Sequence, residues 1–262
     1  SIRTNLSSAA PLLTVGFVIS GSGKALLLRG AGPVLGQFGL SDALADPQLT
    51  LFSGSVVTGS NDDWSRAGNA SDVVATASRV GAFAFPAGSA DAAMLATLGG
   101  GGYSAQIGGP AEAGGVVLVE LYDAAPTAAS RLVNVSARAQ VGTGDNILVA
   151  GFVITGNAAK TLLIRGIGPT LAAFGVSGEL RDPKIEVFRA GSTGAVAAND
   201  DWGSGANGLS SAFATLGAFP LATADSKDAA VLVTLQPGSY SAQVSGVGGA
   251  TGEALVEIYE VP

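Results

Sequence analysis

The second half of this chain rewrites the first, and that duplication limits what the chain can fold into. Gly16-Phe17-Val18-Ile19 returns as Gly151-Phe152-Val153-Ile154, a shift of 135 residues. Leu27, Arg29, Gly30, Gly32 and Pro33 return as Leu163, Arg165, Gly166, Gly168 and Pro169. Asp46-Pro47 returns as Asp182-Pro183, and Asn61-Asp62-Asp63-Trp64 as Asn199-Asp200-Asp201-Trp202. Asp91 matches Asp228, and Tyr103-Ser104-Ala105-Gln106 matches Tyr240-Ser241-Ala242-Gln243. Val119-Glu120 and Tyr122 match Val256-Glu257 and Tyr259. The shift drifts only from 135 to 138, so insertions are short and belong in loops. Each copy must therefore close its own core in about half of the 262 residues. The boundaries read as a module over 1–123, a linker over 124–130 and a second module over 131–262.

Within the second copy, apolar runs of strand length are punctuated by Gly, Asn, Asp and Pro. They predict strands over 132–139, 146–155, 160–165, 184–189, 229–235, 239–244 and 253–259, with a weaker one over 195–198. Residues 169–174 and 209–216 suit single helical turns or short helices. About eight strands per copy, with no long crossover helices, predict an all-β fold of two tandem jelly-roll-like β-sandwich modules. Ile147, Val149 and Val153 alternate with Leu148, Phe152 and Ile154, so this strand is apolar on both faces. The runs 26–28 and 162–164 are apolar throughout. A half-solvated strand should alternate. Either a loop or short helix covers the second face, or another module or chain does.

The absent residue types exclude chemistry. There is no His and no Cys. That removes Ser-His-Asp and Cys-His catalysis, thiolate and imidazole metal sites, and disulfides. Thirteen Lys and Arg against 20 Asp and Glu give a net charge of −7, the wrong sign for a nucleic-acid surface. No stretch approaches the ~20 mostly apolar residues of a membrane-spanning helix. The longest uncharged stretches are interrupted by Gly, Pro and polar residues. The chain opens on Ser with no basic-then-apolar leader, as expected of a processed secreted chain or a fragment.

Gly21-Ser22-Gly23-Lys24 resembles part of a phosphate loop, but Ala25 stands where Ser or Thr would bind the metal. A hairpin turn is the expectation. Gly30-Ala31-Gly32-Pro33 and Gly166-Ile167-Gly168-Pro169 read as turns leaving a strand, Gly for positive φ and Pro for a fixed φ. The ligand candidates are Asn61, Asp62, Asp63, Asn199, Asp200 and Asp201. Clustered carboxylates repel unless solvated, hydrogen-bonded or bridged by a cation. Calcium takes six to eight oxygens, many from Asp and Asn, and Asp46, Asp182, Asp91 and Asp228 could complete its set. The competing reading is an Asx turn bonding its own backbone. Trp64 and Trp202 read as loop anchors rather than sugar platforms, and Arg29 and Arg165 as partners of an internal ion pair or of backbone carbonyls. Paired acids could hydrolyse glycosides. Here each acid recurs in both copies, mostly in turns, so no catalytic residue is expected.

Arg131-Leu132-Val133-Asn134-Val135-Ser136, Val141-Gly142-Thr143-Gly144-Asp145-Asn146, Leu163-Ile164-Arg165-Gly166-Ile167-Gly168-Pro169 and Leu255-Val256-Glu257-Ile258-Tyr259 together resemble a tandem β-sandwich repeat module of large secreted bacterial proteins. The likeness covers all of the second copy and nearly all of the first. The Asp-Pro strand, the Asn-Asp-Asp turn and Gly238-Ser239-Tyr240 are also distantly similar to bacterial pre-peptidase C-terminal-like domains. The resemblance implies an extracellular or cell-surface accessory module without catalysis or cofactor.

Two functions fit. One is a structural or adhesive protein that self-assembles head to tail into a filament or surface layer. The other is a carbohydrate- or surface-binding accessory module with cell-surface glycans as partners. The first rests on Ser1-Ile2-Arg3, which aligns with Ser136-Ala137-Arg138 and leaves the five residues 131–135 without a counterpart. A shortened first strand would expose its neighbour to another copy.

Overall fold

Strand alternation sorts each module into two sheets whose inner faces carry the apolar residues. The computed structural model describes residues 1–66, 68–125, 129–204 and 208–262. Pro126, Thr127 and Ala128 of the expected linker lie outside the described residues. Two compact units, Ser1–Val133 and Asn134–Pro262, divide the chain.

The first unit contains β1 (Ile2–Leu6), β2 (Leu12–Ser20), β3 (Lys24–Ala31), β4 (Gln48–Ser53), β5 (Val56–Asn61), α1 (Ala70–Arg79), β6 (Ala92–Leu98), β7 (Gly101–Gly108) and β8 (Gly115–Asp123). Its strands pair antiparallel in the orders β1-β8-β3-β6 and β2-β7-β4-β5. The second copy supplies β9 (Arg131–Val141), β10 (Leu148–Ile154), β11 (Lys160–Ile167), β12 (Pro183–Arg189), β13 (Ala195–Asn199), α2 (Leu209–Leu216), β14 (Ala229–Leu235), β15 (Gly238–Gly246) and β16 (Gly252–Glu260). Their orders are β9-β16-β11-β14 and β10-β15-β12-β13, the same arrangement element for element. Strands one, eight, three and six in one sheet, with two, seven, four and five in the other, make a jelly roll. The fold is all-β with two such modules. No helix among the described residues is long and apolar enough to cross a membrane.

In the first unit Leu13, Val15, Phe17 and Ile19 of β2, with Leu49 and Leu51 of β4, fill the interior. Leu26 and Leu28 of β3 and Val117 and Val119 of β8 meet them from the other sheet. The strands apolar on both faces then divide into two cases. Strand β3 is buried throughout because Leu27 and Ala93 lie under Trp64 of the 3-10 turn Trp64–Arg66 and Val73 of α1. In the second unit Leu163, Ile167 and Ala230 lie under Leu209 and Phe213 of α2. A short helix thus covers the outer face of one sheet in each module. Strand β10 behaves differently: Val153 on its outer face is 65 % exposed, as Leu12 is at 53 % on β2.

Two expectations need correction. The turn at 21–23 is not a hairpin, because β2 pairs with β7 while β3 pairs with β6 and β8 in the opposite sheet. It is a corner between sheets. Lys24 after it is buried and engaged, 2.5 Å from Asp123 and bonded to the carbonyls of Ala125 and Ser130 at 3.0 and 2.9 Å. It thereby ties both flanks of the linker to the start of β3. Gly32 and Gly168 do not use positive φ, which is −132° and −128° there. They are glycine because a Cβ would run into the carbonyl oxygens of Leu44 and Leu180.

Backbone carbonyls cannot swing away as a side chain can, so Gly168→Ala should destabilise the protein by about 1–3 kcal/mol. Gly36→Ala, where nothing lies within 4 Å of the new Cβ, should change stability by less than about 0.5 kcal/mol. Denaturant unfolding of the two variants checks the contrast, and equal losses would refute it.

Candidate functional site

Three clusters hold duplicated polar residues: the Asn-Asp-Asp turn, a buried aspartate and a buried arginine. At the turn, the backbone geometry uses the asparagine first. Asn61 Nδ2 donates to the Asp63 carbonyl at 3.2 Å, and its Oδ1 accepts the Ala93 N–H at 2.8 Å. Asn199 repeats both bonds, to the Asp201 carbonyl at 3.0 Å and from the Ala230 N–H at 2.9 Å. This is an Asx turn whose side chain also stitches the end of β5 to β6, and of β13 to β14. Asp63 lies 3.1 Å from Arg66, and Asp201 lies 2.8 Å from Lys227. Hydrogen bonding to Asp201 raises the pKa of the exposed Lys227 ammonium. Asp62 and Asp200 remain as the turns' outward carboxylates. Among the described residues no three His, Cys, Asp or Glu side chains converge as a metal set.

Asp91 and Asp228 do not turn toward these loops. Asp91 Oδ1 accepts the N–H groups of Gly32 and Val34 at 2.7 and 3.3 Å, capping the 3-10 turn Pro33–Phe38. Its Oδ2 accepts the Ser89 hydroxyl at 2.7 Å, and Trp64 Nε1 donates to the same hydroxyl at 3.2 Å. Asp228 repeats the cap on Gly168 and Thr170 at 2.9 and 3.3 Å, and accepts the hydroxyls of Thr170 and Ser226. Trp202 Nε1 donates to the Thr223 carbonyl at 2.9 Å. Both tryptophans are loop anchors. Beside the first Asx turn lies an open hollow of about 360 Å³, lined by Gln48, Thr50, Ser60, Asp62, Asp63 and Arg66 among others.

The arginine cluster is an internal ion pair set by strand register. Arg29 stands opposite Glu120 across β3 and β8, and Arg165 opposite Glu257 across β11 and β16. Arg165 is fully buried, with Nε and Nη2 on Glu257 at 2.8 and 2.5 Å and Nη1 on the Phe219 carbonyl at 2.6 Å. The rings of Phe213 and Phe219 flank it at 4.9 and 4.4 Å. Arg29, 1 % exposed, lies between Phe83 and Phe85 at 4.4 and 3.8 Å. Its Nε is 3.4 Å from Glu120, and none of its three nitrogens completes a hydrogen bond. Burial pulls the Arg29 guanidinium below the ordinary arginine value, and Glu120 opposes the shift. Tyr122 donates to Glu120 at 2.6 Å and Tyr259 to Glu257 at 3.0 Å. Burial first, and the adjacent carboxylate second, push both phenols well above their usual range. The Glu-x-Tyr spacing on one strand face, present in both copies, was the sequence signal for these partners. The phenylalanines, remote in sequence, gave none.

Removing one member of a buried pair leaves a bare charge, which costs about 3–5 kcal/mol. Arg165→Met should fall in that range. Arg29→Met should lose less, because Arg29 forfeits no completed hydrogen bond. Equal losses in denaturant unfolding would sink the distinction. The tyrosines give a pH dependence. Their folded pKa exceeds the unfolded value of about 10, so their contribution is complete below pH ~10 and is lost above it. A late tyrosinate absorbance step that coincides with alkaline unfolding is expected, and Tyr122→Phe/Tyr259→Phe should remove it.

The chain matches no family model and no curated protein. Among solved structures it is similar to a structure of PNGF-II, with 9 % identity and a TM-score of 0.24. That alignment covers 97 % of this chain and spans 60 % of the other's length. At this TM-score the likeness bears neither on fold nor on function.

Proposed function

We propose that this chain is a non-catalytic, extracellular structural or adhesive protein that associates with copies of itself. The observation that carries the reading is the pair of sheet-end strands β6 and β14. Each closes one sheet of its module, as seven residues with no charge and no proline. Natural edge strands are blunted by Lys, Pro or bulges, because an open edge templates pairing with another chain. The β4–β5 and β12–β13 ladders do carry register shifts, whereas β3–β6 and β11–β14 run regularly over seven pairs. Pairing of β6 in one copy with β14 in the next is heterologous, and it propagates as a filament unless the rotation closes a ring. The duplicated polar residues support a structural role, since Arg165, Asn61, Asn199, Asp91 and Asp228 all bond their own module.

Light scattering should show particles growing beyond the 25.6 kDa chain as concentration rises. Thr97→Lys/Thr234→Lys, which charges an exposed position on each edge, should hold the protein at single-chain size with its melting temperature unchanged. A native chain that stays at single-chain mass at high concentration overturns the proposal. Calcium belongs to this reading only through Asp62 and Asp200 with backbone oxygens, because both asparagine side chains are engaged. Binding there would raise the melting temperature by mass action. Identical melting curves in chelator and in millimolar calcium remove the ion.

A further inference from the structure

The outer face of the first unit's β2-β7-β4-β5 sheet carries a straight row of uncharged hydrogen-bonding side chains. Register places Thr14 opposite Gln106, Gln106 opposite Thr50, and Thr50 opposite Ser60. All four point outward, because their neighbours Leu13, Val15, Ala105, Ile107, Leu49 and Leu51 point into the core. Neighbouring strands lie about 4.8 Å apart, so the row is about 14 Å long. Among the described residues, none of the four side chains bonds another protein group. The row ends in the hollow beside the Asx turn, which Gln48 and Asp62 also line.

Each member of the row both donates and accepts a hydrogen bond. Such a row complements a ligand that presents hydroxyls at a regular repeat near one strand spacing, and it offers a charged polymer no counter-charge. Asp62 at its end accepts only, as suits a pair of adjacent hydroxyls. The second unit supplies the comparison. The equivalent row is Val149, Gln243, Glu186 and Ala198, and Lys184 in place of Gln48 pairs with Glu186 at 2.9 Å. The jelly roll and the Asx turn therefore do not require the Thr-Gln-Thr-Ser row, because the second copy folds the same way without it.

We propose that this row and its terminal hollow form a binding track for an extended neutral polysaccharide, carried by the first unit alone. The track runs across the strands, with one sugar residue over each strand and the chain end or a branch seated against Asp62 and Gln48.

Affinity electrophoresis of the full chain in gels holding mixed-linkage glucan, xylan or galactomannan tests it. Retardation by at least one of the three is expected, with no retardation by alginate. Thr50→Glu/Gln106→Ala should weaken that retention at least tenfold while leaving the melting temperature unchanged, both positions being on the solvent side. Glu186→Ala in the second unit should leave it intact. The proposal is overturned by unaltered migration in all three neutral gels. It is equally overturned by equal retention in alginate, by retention that survives Thr50→Glu/Gln106→Ala, or by a matching loss in Glu186→Ala.

Discussion

A guanidinium under a β-sheet is the constraint on which each module's outer layer depends. Arg29 and Arg165 sit on strands whose every residue is buried or nearly so, and a bare charge there would be prohibitive. The neighbouring strand answers with Glu120 or Glu257 directly opposite, and Tyr122 or Tyr259 binds the second carboxylate oxygen. The rings of Phe83 and Phe85, or Phe213 and Phe219, then close over the cation. Phe213 belongs to α2, and Phe83, Phe85 and Phe219 to the loops after the short helices, so the ion pair and the cover over the sheet are one structure. Strand β3 can therefore be apolar on both faces without exposing either.

The aspartates hold the turns that directly follow the arginine strands. Asp91 and Asp228 each gather two backbone N–H groups of a 3-10 turn, with one hydroxyl on Asp91 and two on Asp228. The backbone carbonyl of each also accepts a tryptophan backbone N–H, Trp64 onto Asp91 at 2.9 Å and Trp202 onto Asp228 at 2.8 Å. The glycines before Pro33 and Pro169 let that turn approach the carbonyls of Leu44 and Leu180. Duplicated side chains with internal polar partners thus concentrate in the cap over one sheet, while the outer face of the other sheet keeps Gln106 as Gln243 but differs between the copies beside it. That division separates what the fold requires from what the surface of each module is free to do. Thr14, Thr50 and Ser60 stand where the second copy has Val149, Glu186 and Ala198, with the strand order unaltered.

The duplication, the all-β class and the eight strands of each copy are legible in the amino-acid order alone, because strand-length apolar runs and Gly or Asp punctuation are local signals. That order also marked Asn61 and Asn199 as residues of either an Asx turn or a cation site, and Arg29 and Arg165 as partners of either a carboxylate or backbone carbonyls. Only the tertiary structure decided which strand pairs with which, and with that whether residues 21–23 make a hairpin or a corner. It alone decided that Gly32 serves close approach rather than positive φ, since Leu44 lies 12 residues away. It alone brought Phe83 and Phe85 over Arg29, and Thr14, Gln106, Thr50 and Ser60 into one row. Those groupings join residues from separate strands and loops, and sequence periodicity has no reach across such distances. Register, fixed by the backbone ladders, supplies it.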